Sequence, residues 1–143
     1  MVLFKSIFKV PKHGISKNSK QILSNKSTGK PFIAKSNSAI FLEKYLIRQL
    51  TIERIKQRIE TITCDINSQL IFYYPNTIYF TKKGERSKTI GDLSNLYQMV
   101  EDSLQKSGII CNDTQICSHD GSRRVSSDGT EYYLEIELRK YNG

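Results

Sequence analysis

GDLSNLYQMVEDSLQKSGIICNDTQI, residues 91–116, combines a helical period with a turn. At about 100° per residue, Leu93, Leu96, Val100 and Leu104 fall within about 80° of one another, an apolar stripe that must face a core. Asn95, Gln98, Asp102 and Gln105 take the opposite side. The pattern predicts a helix from about Leu93 to Lys106 that stops at Gly108. Asp92 takes the N-cap position, where its carboxylate can accept backbone N–H bonds. Beyond the helix, Asn112 and Asp113 are residues that favour a turn.

A one-sided helix needs a second layer, and the flanking segments supply it. Near the end of the chain Tyr132, Leu134, Ile136 and Leu138 alternate with Tyr133, Glu135, Glu137 and Arg139, the pattern of a half-buried strand. Upstream, QLIFYYP (69–75) reads as a buried strand, and IYFT (78–81) as a second extended piece after Pro75-Asn76. Thr81 to Ile90 is a polar, basic connection containing Gly84. Residues 38–58 read as another helix, with Ala39, Leu42, Tyr45, Leu46 and Leu50 at three- and four-residue steps and Ser36 or Ser38 as cap. VLFKSIFKV (2–10) reads as a strand and PKHGISKNSK (11–20) as a loop. Short extended pieces, roughly Gln21–Leu23 and Pro31–Ala34, flank the turn SNKSTGK. The expected class is α+β, a mixed β-sheet with two main helices packed on it, in one domain spanning 1–143.

Of the 143 residues, 38% are hydrophobic and 25% charged, the balance of a soluble globular chain. No stretch approaches the roughly 18 apolar residues of a membrane span. Lys5, Lys9 and Lys12 interrupt any hydrophobic region of a secretion signal, so the expected location is cytoplasmic. Cys64, Cys111 and Cys117 form no CxxC pair, which argues against a disulfide framework and for buried thiols. The C-x5-C-x-H spacing of Cys111, Cys117 and His119 matches no common zinc motif and lacks a fourth ligand.

Charge is unevenly spread. Eight lysines and no carboxylate precede Glu43, so the net +8 resides in the first 42 residues. The other fourteen of the 22 basic residues are balanced by all fourteen acidic ones. A field of one sign steers a polyanion, and lysine–phosphate contacts bind it without sequence preference. No GxSxG, P-loop or dinucleotide fingerprint is present, and neither histidine sits in a recognisable triad.

The block Asp92, Asn95, Asp102-Ser103-Leu104, Gly108-Ile109 and Asn112-Asp113-Thr114-Gln115, with Pro11 and Ser16-Lys17-Asn18 near the start, resembles the RusA family of Holliday junction resolvases. Members with Asp-Leu-Ser-Asn-Leu and a downstream His-Asp-Gly-Ser-Arg, as at His119 to Arg123, are the most similar. The resemblance implies a RusA-like homodimer that binds four-way junctions or other branched DNA and nicks two strands with Mg²⁺, or Mn²⁺ in its place. It also implies three metal-serving aspartates and an assisting lysine. Carried over, the first and third aspartates are Asp92 and Asp113, the expected metal ligands. The second aspartate position is Ser94, and the lysine position is Gln98. A hydroxyl is a far poorer Mg²⁺ ligand than a carboxylate, and Gln98 brings no positive charge to the phosphate.

The catalytic expectation therefore covers Asp92 and Asp113, with Asn95 orienting the helix start or the phosphate and Asp120 in reserve. His119, beside Asp120, is suited to proton transfer. Lys12, Lys17, Asn18, Lys20, Arg123 and Arg124 are expected to hold DNA. Asp102 lies about 15 Å along the helix from Asp92 and cannot share an ion with it; Glu101 meets the same objection, though either could lie nearer Asp113. One shared ion requires the Asp92 and Asp113 carboxylates to approach within roughly 5 Å. The alternative expectation is a non-catalytic branched-DNA-binding protein of the same fold.

Overall fold

The structure, a computed structural model, describes residues 1–12, 20–24, 27–35, 37–90 and 93–143, with the backbone alone at 20–22, 24 and 32–35. In chain order its elements are β1 (Val2–Val10), β2 (Lys20–Ser24), β3 (Pro31–Lys35), α1 (Asn37–Gln57), β4 (Ile66–Pro75), α2 (Asn76–Tyr79), α3 (Leu93–Lys106), β5 (Ile116–Ser118), β6 (Arg123–Ser127) and β7 (Tyr132–Lys140). A single 3-10 turn, Asp113–Gln115, precedes β5.

The main sheet runs β1-β7-β4-β5, with β6 also on β4, and β2 and β3 form a separate antiparallel hairpin. β7 pairs antiparallel with β1 and with β4, while β5 and β6 pair parallel with β4, so the sheet is mixed. β5 lies against Ile66 and Asn67, and β6 against Ile71–Pro75. The two act as one edge strand interrupted at 119–122.

α1 and α3 share one core with the sheet. Leu42, Leu46 and Leu50 from α1 and Leu96, Met99, Val100 and Leu104 from α3 are buried with Phe4 and Phe8 of β1, Leu70 and Phe72 of β4, and Leu134, Ile136 and Leu138 of β7. The stripe read from the sequence is therefore the buried face of α3. The helix ends where it should: Gly108 adopts φ +82°, and Ile109 N–H donates to Leu104 O at 3.1 Å. Buried Glu43 of α1 is bonded to Lys106 of α3, tying the two helices.

Four expectations need correction. IYFT does not begin extended: Asn76–Tyr79 is a helical turn, closed by Phe80 N–H donating to Asn76 O at 3.0 Å. Pro75, at φ −56°, ends the strand ladder, and with no N–H to offer it starts the turn. Ser38 lies inside α1 rather than capping it, and Ser36 is outside the described residues. β7 keeps the expected alternation except at Glu137, where the polar side is also covered. Glu137 is only 7% exposed and is neutralised by Arg139 Nε at 3.1 Å and Lys5 Nζ at 3.9 Å. Cys111 and Cys117 are exposed free thiols, because the turn they flank buries Gln115 instead. No helix of the described residues is long and apolar enough to cross a membrane.

Candidate active site

The turn after α3 is fixed by one glutamine. Asn112 caps the 3-10 turn by accepting Thr114 N–H at 2.9 Å, and the Gln115 side chain folds back to complete a capping box. Gln115 Oε1 accepts the N–H of Cys111 and Asn112 at 2.8 and 2.9 Å. Its Nε2 donates to the carbonyls of Ile62 and Cys64 at 2.9 and 2.8 Å. All four bonding capacities of a buried amide are thus used, and the turn is locked to the segment entering β4. The result is an exposed Asp113 on a rigid support, its own N–H held by Gln105 Oε1 at 3.1 Å.

The second support is the interruption between β5 and β6. His119 to Ser122 is a tight turn closed by Ser122 N–H donating to His119 O at 2.9 Å. Asn67 reaches out from β4, accepting Asp120 N–H at 2.8 Å and donating to Asp120 O at 3.2 Å. Ser122 Oγ accepts Leu70 N–H at 2.9 Å and donates to Ser68 O at 3.0 Å. Gly121 is required here: it adopts φ +86°, and a Cβ would lie 2.2 Å from Gln69 Oε1.

This turn holds His119 against α3. His119 Nε2 is 2.9 Å from both carboxylate oxygens of Glu101. The imidazole stacks on Tyr97, with centroids 4.8 Å apart and planes at 14°. The Glu101 side chain is 13% exposed and that of His119 40%, so the ring alone faces solvent substantially. Burial pushes the Glu101 carboxyl up, His119 pulls it back down, and the negative fields of Asp113 and Asp102 add to the rise. Asp113, Glu101 and His119 therefore form one electrostatic neighbourhood.

At the start of α3, where the turn ends at Ser122, an open cleft of about 690 Å³ is lined by Tyr79, Arg86, Lys88, Leu93, Ser122, Arg123 and Arg124. Arg124 also lies over the Tyr74 ring, 5.9 Å from its centroid. Four cations around a cleft at the start of α3 suit a phosphodiester backbone.

The sequence-predicted residues fall as follows. Arg123 and Arg124 share the cationic cleft; Lys12 is exposed in a separate groove with Tyr74 and Tyr132. Asp120 lines a third cleft with Arg139 and Lys140. Asn95 is half-buried in the first turn of α3. Asp92, Lys17 and Asn18 lie outside the described residues, as does the side chain of Lys20. Leu93, which follows Asp92, and Gln105, which holds Asp113, are separated by about 18 Å of helical rise. Glu101, expected to lie too far from Asp92 but with room to lie nearer Asp113, does sit within the electrostatic reach of Asp113. Tyr97, Arg86 and Lys88 gave no signal in the sequence beyond their type, because their convergence depends on tertiary contacts.

Asp113 offers the oxygen donor that Mg²⁺ prefers. Among the described residues, however, no three His, Cys, Asp or Glu side chains are placed to hold a metal ion together. The donors fit such an ion in kind and form an incomplete set.

A family model described as endodeoxyribonuclease RusA matches residues 43–139, from α1 through β7. A search of curated proteins finds no match to the chain.

Proposed function

The chain belongs to the RusA family of endodeoxyribonucleases, and from that premise we propose that it is a Mg²⁺-dependent, structure-specific endonuclease that resolves four-way DNA junctions by paired nicks. The observation that carries this reading is the exposed Asp113 on its locked turn, with Glu101 and His119 beside it and a cationic cleft at the other end of the same helix. Phosphodiester hydrolysis needs negative charge on the phosphate neutralised and a proton-transfer group near the reacting oxygens, and both resources are present.

Asp92 and Asp113 are the proposed metal ligands; a bound Mg²⁺ would activate water and stabilise the charge on phosphorus. The length of α3 makes it hard for one ion to reach both carboxylates within one chain. A homodimer, in which Asp92 of one chain works with the partner's Asp113, meets that requirement. Arg86, Lys88, Arg123 and Arg124 would hold the backbone of one arm. Lys12, Lys17, Asn18 and Lys20 would extend the contact, and Asn95 would steady the helix start.

Ser94 and Gln98 favour a second reading, a branched-DNA-binding protein that has lost efficient cleavage. A synthetic four-way junction incubated with the protein and Mg²⁺ or Mn²⁺ decides between the two. Paired nicks that vanish in Asp113→Asn, with binding retained, are the expected result. Binding without nicks in either protein would leave the second reading standing, and cleavage gained by Ser94→Asp would identify what was lost.

A further inference from the structure

We propose that His119 hands a proton to the leaving oxygen of the scissile phosphodiester, with Glu101 as the carboxylate that positions it. This inference rests on the endonuclease reading and assigns a proton donor within it. As the phosphorus–oxygen bond breaks, negative charge builds on the leaving oxygen, and a group that protonates it lowers the barrier.

Three independent supports hold the imidazole. Its Nε2 is bound by both oxygens of Glu101 at 2.9 Å, its face is stacked on Tyr97, and its backbone belongs to the turn pinned by Asn67 and Ser122. That much constraint on a surface histidine exceeds what a turn needs. With Nε2–H directed at Glu101, Nδ1 is the nitrogen left to exchange a proton with a ligand. The carboxylate fixes the orientation of the ring, as an acid partner does for a catalytic histidine. The charged groups around the ring are Glu101, then Asp102 and Asp113, which act on that carboxylate, Asp120 next in the chain, and Arg124, whose field reaches Tyr97.

In the step itself a water oxygen bonds to phosphorus while the bond from phosphorus to the leaving deoxyribose oxygen breaks. The electron pair of that bond stays on the deoxyribose oxygen, which takes the Nδ1 proton and departs as an alcohol. The proton released by the attacking water passes to solvent, and the imidazole is reprotonated from solvent.

The test compares two junctions, one with the native linkage and one with sulfur replacing the leaving oxygen at the cut site. A thiolate departs without protonation. His119→Gln should lose about 100-fold in kcat/KM on the native linkage, the scale of general acid catalysis, and recover most of it on the sulfur linkage. A downfield, slowly exchanging imidazole N–H proton, seen by NMR in the native protein and absent from Glu101→Ala, should report the positioning bond without reference to activity. Native cleavage at the wild-type rate in His119→Gln, or an equal loss on both linkages, overturns the assignment while leaving the endonuclease reading intact. A wild-type protein that nicks no junction overturns both.

Discussion

His119 Nε2 lies 2.9 Å from each carboxylate oxygen of Glu101, a bond that joins the middle of α3 to the interruption in the sheet edge. It places an ionised carboxylate where burial and the charges of Asp113 and Asp102 disfavour it. Because Glu101 is raised in the folded chain, folding favours its protonated form. The stability from that preference is full at pH below the ordinary carboxylate range and is lost as pH rises through the raised one. Glu101→Gln carries no charge to penalise. At pH about 8 the variant should therefore melt above the wild type, with the gap closing as the pH falls through the raised carboxyl range and gone only below the ordinary one, about 4.3. Thermal melts across that range check it, and a wild type more stable than the variant at the alkaline end would refute it. Stability gained and cleavage lost in one substitution is the expected signature of a functional carboxylate.

Gln115 is a support for Asp113, and its removal should be felt well beyond its own volume. Gln115→Ala leaves two N–H groups and two carbonyls without their partner in a mostly buried place. With water replacing part of what is lost, the expected cost is about 2–4 kcal/mol in a urea titration. Cleavage should fall with it at temperatures where the variant is still folded, because Asp113 loses its platform. A variant with unchanged stability would show that the capping box is incidental.

Gly121 tests the other platform. Its φ of +86° is unfavourable for any side chain, and a methyl there meets the Gln69 side chain. Gln69 can swing away, so the backbone conformation sets most of the cost, about 1–2 kcal/mol for Gly121→Ala. Adding Gln69→Ala should recover only the smaller part. Denaturant midpoints of the single and double variants separate the two contributions.

Arg86, Lys88 and Arg124 line one cleft, so their roles can be read from salt dependence. Each contact with phosphate contributes about 0.9 to the slope of log affinity against log salt. Arg86→Ala and Lys88→Ala should each lower that slope by about one for a four-way junction, and by the same amount for plain duplex if the contact is to backbone alone. Fluorescence anisotropy over a salt series measures it. A slope that does not move would remove the cleft from the DNA path.

What the sequence made legible was what depends on local periodicity. The α3 stripe, its stop at Gly108 and the β1 and β7 strands are written in spacing and turn chemistry, and the structure has them at nearly the residues expected. The helical turn at Asn76–Tyr79 was missed because Ile78, Tyr79 and Phe80 are strand-forming types, whereas Pro75 and the backbone bond to Asn76 decided the local conformation. Buried Glu137 was missed because alternation tells which side a residue takes and not whether that side is covered. Around Asp113, the sequence left open whether Glu101 or Asp102 lies near it. The bond from Glu101 to His119 was not legible, because contacts between a helix and a broken edge strand have no one-dimensional period. The basic N-terminal third was read as the DNA surface; the described structure adds a second cationic cleft built from Arg86, Lys88, Arg123 and Arg124, whose charges are scattered along the sequence and collected only by the fold.

The span of α3 leads to the most decisive prediction. Leu93 and Gln105 stand about 18 Å apart along the helix, while carboxylates sharing one Mg²⁺ at ~2.1 Å per ligand must come within roughly 5 Å. If each ion is served by Asp92 of one chain and the partner's Asp113, inactive variants should complement one another. Asp92→Asn and Asp113→Asn homodimers are each expected to be dead. In a mixed dimer both substitutions fall in the same site, and the other site has both aspartates intact. Such dimers, formed by co-expression and purified with two different tags, should nick one strand of a junction and leave the opposing strand whole. Should each site instead lie within one chain, the mixed dimer has one defect in each site and cuts nothing. Denaturing gels with the two strands labelled in different colours distinguish a single nick from none, and a protein that stays monomeric by light scattering would exclude the shared arrangement before any cleavage is measured.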